Sequence, residues 1–444
     1  MVATSTSSKK DVFDVHTSVL FDSKHKTFHS DLSITVDPTS GLITKVYKRK
    51  DALPNHITPP DIDLRGKTVL PGFVDAHTHI FLHPYSDTPS MYQMRDESMV
   101  ERILRATNHC RAALLAGYTT YRDLGTEGLE DADVAFRNAV NRGIVPGPRL
   151  FVATECITSS AGYEVRQENA RPGGTMIPRI SDPADGVDGC RAAVRRRIGA
   201  GADIVKFYAD YRKKALRFPK ESWPGARPIC FPPADDLGVN EARNPNIVLF
   251  TQEEMDVMVQ EARVSKAPIA AHAGSPEAVI MAAKAGVDTI EHGYYRSDEA
   301  LKAMKDHGVI FVPTLSVIEL EAPRAVMDAS FAQTRGAFDL GVELACGGDT
   351  GAFAHGDNAR EMELMIEAGV PILDVLQAGT LHGWKACGKD LAGRRFGSLE
   401  KGFAADIIAL DSNPLDDIKA LRQVNFVMKD GKVYKKDGNP VGII

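Results

Sequence analysis

Two hydrophobic rhythms share the 444-residue chain. Val12 to Leu20 and Leu32 to Val36 alternate apolar and polar positions, and Gly41 to Tyr47 follows a Pro38-Thr39-Ser40 turn. This period-two pattern predicts half-buried strands. Asp406 to Leu410 repeats it, as do Val424 to Met428 and Lys432 to Tyr434 on either side of a Lys429-Asp430-Gly431 turn. The middle differs: short apolar runs recur, each followed by a helical stretch rich in Ala, Glu, Arg and Leu. Eight candidate strands emerge: Thr68 to Val74, Thr119 to Asp123, Arg149 to Thr154, Asp203 to Tyr208, Pro268 to His272, Thr289 to His292, Val309 to Leu315 and Glu343 to Gly348. Helical runs between them include Met99 to Leu115, Asp185 to Gly199, Gln252 to Val264 and Pro276 to Ala285. Several helices end in glycine, at Gly117, Gly201, Gly286, Gly308 and Gly341, as the left-handed residue after a helix favours.

Eight β-α units in series predict an α/β chain folded as a closed (β/α)8 TIM-like barrel. An open doubly wound sheet has the same local pattern, but no glycine-rich phosphate fingerprint follows an early strand. The strand-rich flanks predict one small β-sandwich domain made from both chain ends. The expected division is 12–68 and 391–444 for the sandwich and 69–390 for the barrel. The connection Ala209 to Val248 is long and Pro-rich and holds Trp223 and Phe231, which suggests a substrate lid or an oligomer arm.

Composition narrows the partners. The chain is 43% hydrophobic and 25% charged, enough for a large core, and its formal charge of -6 is spread along its length. A weakly acidic surface argues against nucleic acid, whose phosphates demand a basic face. Six cysteines lie far apart with no CxxC pair, which fits reduced thiols and not a disulfide framework. No run approaches the roughly 20 apolar residues needed to span a bilayer. Met1 to Asp11 is polar, without the apolar stretch of a secretory signal. A cytoplasmic enzyme acting on a small molecule is the expectation.

Candidate chemistry gathers at strand ends. In Val74-Asp-Ala-His-Thr-His79, two histidines two residues apart share one face of a strand and point toward the barrel mouth. Imidazole nitrogen suits Zn, Mn, Fe or Ni, although two histidines in ordinary packing would read alike. His272, His292 and Asp349 end further strands, and Lys206 lies within Asp-Ile-Val-Lys-Phe-Tyr. Barrel enzymes draw their catalytic residues from strand C-termini. A lysine buried on a strand is costly unless neutralised or paired. Carboxylated by CO2, its amine becomes an anionic oxygen ligand able to bridge two cations; an ion pair with a nearby acid is the structural alternative. Tyr163, Tyr208, Tyr211 and Arg212 are candidates to bind a substrate carbonyl or carboxylate, and His355 to reach the pocket from the last loop. Aromatic packing and a surface histidine are the plainer readings. Asp75 reads as a supporting acid, and Arg122 and Asp123 as barrel packing or a salt link.

The chain resembles the amidohydrolase superfamily, nearest its imidazolonepropionase-like and prolidase-like branch with its ochratoxinase-like members. The resemblance rests on Leu70-Pro-Gly-Phe-Val-Asp-Ala-His-Thr-His79, Gly117-Tyr-Thr-Thr-Tyr-Arg-Asp-Leu-Gly125, Ile204-Val-Lys206, Ile290-Glu-His292, Ala354 to Gly369 and Gly397 to Leu410, and it spans roughly residues 12 to 435. It implies two divalent metals per chain, with zinc the leading choice, bridged by carboxylated Lys206. His77 and His79 would hold the buried ion and His272 and His292 the exposed one, while Asp349 would be both ligand and proton acceptor. The implied reaction is hydrolysis of an amide: an N-acyl amino acid, a dipeptide or an ochratoxin-like amide. Assembly into homo-oligomers is common among such relatives. Pocket loops depart from the pattern, with Ala161-Gly-Tyr-Glu164 in place of a Gly-His pair, Ala209-Asp-Tyr-Arg212 in place of Ser-Gly-Gly, and Leu315 in place of an Arg. A cyclic amide or lactone hydrolase, or a scaffold without activity, are the rival readings.

Overall fold

The computed structural model describes residues 12–162, 179–212 and 246–442. Tyr163, the stretch 213–245 with Trp223 and Phe231, and the side chain of Arg212 lie outside the described residues.

Both strand-rich flanks meet in one nine-stranded sheet. Phe13–Asp22 pairs with Leu32–Asp37 on one side and, in parallel, with Ile62–Pro71 on the other. Ile407–Leu410 then adds antiparallel to Ile62–Pro71, and Val424–Lys429 to Ile407–Leu410. The far edge strand Leu42–Lys48 folds back, bridging Leu42 to Ala404. The fold-back encloses an apolar core of Val15, Ile34, Val36, Val69, Ile407, Phe426 and Met428. Alternation put those residues on one face, and burying them is what holds the two distant chain segments together.

The middle of the chain is α/β with parallel strands. One sheet contains Phe73–Thr78, Tyr118–Asp123 and Arg149–Val152. Another runs from Cys156–Thr158 through Val205–Tyr208, Ile269–Ala273 and Thr289–His292 to Ile310–Val312. Backbone bonds join the two sheets at both edges. Asp203 N–H donates to Val152 O at 2.8 Å on one side. On the other, Ala345 N–H donates to Phe311 O at 3.0 Å and Ala76 N–H to Cys346 O at 2.8 Å. The parallel strands therefore form a ring, with helices Met99–Leu115, Gly186–Ala200, Gln252–Val264, Pro276–Ala285 and Asp298–His307 between successive strands. Four helices close on left-handed glycines at Gly201, Gly286, Gly308 and Gly341. No helix among the described residues is long and apolar enough to cross a membrane.

Three strand expectations change. The expected Thr68 to Val74 strand is two elements, Ile62–Pro71 in the flanking sheet and Phe73–Thr78 in the ring. They part at Gly72, where a Cβ would stand 2.2 Å from Thr119 Oγ1, so only glycine fits the crossing. Glu343 to Gly348 forms only an isolated bridge, Phe311 to Leu344. There Gly347 passes so close to His77 that a Cβ would lie 2.7 Å from its backbone nitrogen. The strand expected over Val309 to Leu315 stops at Val312, because Thr314 turns left-handed and Leu315 opens the helix Leu315–Glu321.

Arg149 fastens the flanking sheet to the ring. Its guanidinium donates to Asp406 at 2.8 Å and to Asp430 at 2.7 Å, and Asp406 is 1% exposed. Arg149→Leu would strand a buried carboxylate, a loss of about 3–5 kcal/mol. Urea unfolding of the variant is expected to show that loss, and an unchanged midpoint would contradict the anchoring role.

Candidate metal centre

Strand geometry brings His77 and His79 to one side of the chain, their rings 5.5 Å apart. Asp349 arrives from the Gly347-Gly348 crossing with a φ of 63°. Its Oδ1 lies 3.2 Å from His79 Nε2 and 3.6 Å from His77 Nε2. One ligand atom from each of these three residues lies within 4.8 Å of the others. His292 brings its ring to 5.0 Å from that of His77, and His272 stands 4.4 Å from His292. Lys206 enters from the neighbouring strand, in register with Ala270, two residues before His272. The six residues singled out in the sequence as metal ligands thus come from five separate strands or crossings, His77 and His79 sharing one.

The backbone is bent to achieve this. His292 and Asp349 both have positive φ, 81° and 63°. Such conformations cost of order 1–3 kcal/mol each and collect at functional sites. Second bonds hold the rings in place. His79 Nδ1 donates to Gly125 O at 2.9 Å, His292 Nδ1 lies 2.8 Å from Thr314 Oγ1, and His77 Nδ1 lies 2.9 Å from Glu291 Oε2. Each contact occupies Nδ1 and turns Nε2 inward.

Burial sets the charges. It pushes His77 down to about 4, and it holds His272 and His292 well below the usual imidazole range, helped by Lys206 and the neighbouring rings. His79 is the exception: burial opposes its charge, but Asp349 with Glu127 and Asp123 raises it to about 9. Asp349 is held far below the carboxylate range despite burial, by His77, His79 and Lys206. Burial also lowers Lys206, whose Nζ has no hydrogen-bond partner among the described residues. An unpartnered buried amine beside four imidazoles and a carboxylate fits a divalent cation site: the nitrogen and oxygen donors match zinc and its neighbours, and a carboxylated amine would supply the missing anionic bridge.

Glu291 was missed in the sequence. It is fully buried, and besides His77 it takes hydrogen bonds from Arg122 Nη2 at 2.7 Å and from Thr289 Oγ1. Burial alone would raise this carboxyl; Arg122 and His77 hold it at about 2. An acid inside the short buried strand Thr289–His292, with an arginine near the end of the buried strand Tyr118–Asp123, was the signal available. Asp75 accepts from His77 N–H at 3.0 Å, from Thr350 Oγ1 at 2.8 Å and from Asn358 Nδ2 at 2.6 Å, tying the His77 strand to the Asp349 loop. Glu361 accepts from the Leu315 and Ser316 N–H groups at 3.0 and 2.8 Å, fixing the turn that carries Thr314.

Of the residues proposed to meet a substrate, Tyr208 and Tyr211 flank His272, with ring centroids 4.9 and 5.3 Å away. Tyr294, not singled out in the sequence, stands 5.3 Å from His292. His355 is buried rather than on the surface: it stacks 4.5 Å from His109 and bonds Leu82 O at 3.2 Å. Leu315 is fully buried at the start of its helix.

The parallel strands carry histidines and an acid at their ends, and residues 68–434 match the amidohydrolase family. The chain belongs to that family. It is 30% identical to ochratoxinase of Aspergillus niger over 406 residues, 84% of this chain and 77% of ochratoxinase. It is 23% identical to imidazolonepropionase of Clostridium tetani over 396 residues, 84% of each chain. Among solved structures it resembles a Xaa-Pro dipeptidase crystallised with methionine in its active site, with TM-score 0.76 and 29% identity over 96% of this chain and 100% of the other. These neighbours support hydrolysis of amide bonds, as the family does.

Asp75→Ala would take the acceptor from the buried His77 N–H and the Thr350 hydroxyl, and a stability loss of about 3 kcal/mol is expected in urea unfolding. Wild-type stability would remove Asp75 from the support of the His77 strand.

Proposed function

We propose that the chain is a metal-dependent amidohydrolase that cleaves the C–N bond of a small-molecule amide, such as an N-acyl amino acid, a dipeptide or an ochratoxin-like amide. The observation that carries this reading is the buried cluster of His77, His79 and Asp349, with the His292 ring 5.0 Å from that of His77, the His272 ring 4.4 Å from that of His292, and the buried Lys206 amine in the field of Asp349. The strand ring is read as a (β/α)8 barrel over residues 69–390, with the nine-stranded sheet as its small sandwich domain. The same reading keeps the enzyme in the cytoplasm and off nucleic acid.

His77, His79, His272 and His292 would hold two divalent cations, zinc first among them, with Asp349 and carboxylated Lys206 completing the set. Carboxylation joins the neutral Lys206 amine to the carbon of CO2, releases one proton and leaves an anionic carbamate. When bound, the cations polarise the substrate carbonyl and make water acidic enough to attack at neutral pH. Asp349, held ionised, takes the proton that the attacking water sheds. It then returns that proton to the departing nitrogen, which an amide requires because an amide anion is a poor leaving group. Tyr208 and Tyr211, beside His272, offer an aromatic wall to one flank of the substrate.

Chelation is expected to silence hydrolysis across a panel of N-acyl amino acids, dipeptides and lactams, and added Zn, Mn or Co to restore it. Activity indifferent to chelator would reject metal catalysis, and turnover confined to lactams would move the substrate class. Lys206→Ala and Asp349→Asn are each expected to reduce kcat by at least about 10³-fold with the fold retained by circular dichroism, as loss of a group central to catalysis does. Full activity in either variant would contradict its assigned role.

A further inference from the structure

The buried pair formed by Arg122 and Glu291 resembles the one formed by Arg149 and Asp406, but the two carboxylates are spent differently. Asp406 gives its oxygens to Arg149 and to a backbone N–H, that of Asp430. Glu291 gives Oε1 to Arg122 and Thr289, and Oε2 to a single imidazole nitrogen, His77 Nδ1. Arg122 itself is 1% exposed and pinned on several sides: it donates to Ala76 O and to Ala386 O, and to Thr289 Oγ1 at 2.9 Å. Its guanidinium cannot swing away, so the carboxylate beside it stays in one place. His77 Nδ1 has one acceptor, and its Nε2 is the nitrogen facing Asp349.

From this arrangement we infer that Glu291 is a positioning residue which, backed by Arg122, locks His77 as an Nε2 donor and tightens the cation that His77 helps to hold. The inference rests on the metal reading of the site. Its physical basis is that a carboxylate hydrogen-bonded to the far nitrogen of a ligating histidine fixes the tautomer and ring orientation and makes the near nitrogen more basic. The other imidazoles have no carboxylate this close. His79 Nδ1 bonds the neutral carbonyl of Gly125, with Glu127 3.7 Å away; His292 meets the Thr314 hydroxyl; and Asp210 stands 3.8 Å from His272 Nε2. Of the four, His77 has a carboxylate at hydrogen-bond distance, 2.9 Å. Glu291 touches no substrate in this scheme and moves no proton during the reaction.

The test is zinc affinity, measured on metal-free full-length protein by competition with a chromogenic chelator. Glu291→Gln is the first variant. Because it leaves Arg122 uncompensated, the double variant Arg122→Met with Glu291→Gln is measured beside it, and Arg149→Leu serves as a control for a buried ion pair distant from the site. A 10–100-fold rise in the zinc dissociation constant is expected for both Glu291 variants, with folded circular dichroism spectra. Arg149→Leu is expected to lose stability and keep wild-type zinc affinity. Wild-type affinity in a folded Glu291 variant would overturn the inference while leaving the metal reading standing. A matching loss of affinity in Arg149→Leu would show that the effect is general destabilisation, and would overturn it too. Failure of both Glu291 variants to fold, with or without zinc, would assign the pair to the core instead. A wild-type protein that binds no zinc would overturn the metal reading and this inference together.

Discussion

A lysine amine without a hydrogen-bond partner among the described residues sits in the interior of this protein, and the site is built around that cost. Lys206 Nζ is buried among His77, Glu291, Asp349 and Arg122, where an ammonium gains little from water and must be neutralised or put to use. Burial lowers its pKa, which favours the free amine, the form that can take up CO2. A group of this kind is tolerated where its chemistry is needed. Three of the four site imidazoles, His77, His272 and His292, carry the same signature, since burial pushes them toward the neutral form.

Rigid support makes such a cluster possible. The first turn of the helix Ala359–Glu367 serves two ligand segments at once. Asn358, at its start, bonds Asp75 beneath His77 and Thr350 beside Asp349. Glu361, one turn further, fixes the turn holding Thr314, which in turn meets His292. Left-handed backbone at His292, Thr314 and Asp349 persists because these bonds over-determine it. One helix thereby couples the placement of His77, His292 and Asp349, although they are far apart in the chain.

Much of this was legible in the chain before any coordinates. Helices Met99–Leu115, Gln252–Val264 and Pro276–Ala285 fall where apolar spacing puts them, and a glycine follows the first and the last. The ligand candidates were visible because each lies within or near the end of a predicted strand, where a polar residue of that type is hard to explain by packing. The misses share a cause, which is contact between segments remote in sequence. Gly72 looks like the middle of one strand until Thr119 is known to press against it. Residues 343–348 look like a strand until the close approach of Gly347 to His77 breaks the ladder. Glu291 is unremarked beside His292 until Arg122 and His77 are brought to it across the ring. The strand Thr27–Ser30 is short and polar, and only its pairing with Phe13–Asp22 reveals it.

The most direct measurement is an anomalous-scattering map, recorded at the zinc edge, from crystals of zinc-loaded protein. Two peaks should appear, one about 2.0–2.1 Å from the nitrogens of His77 and His79 and the other equally near those of His272 and His292. Added density on Lys206 Nζ should bridge them, with Asp349 in coordination. A map with no peak among these side chains, or with Lys206 and Asp349 turned away from the ions, would contradict the convergence on which the function depends.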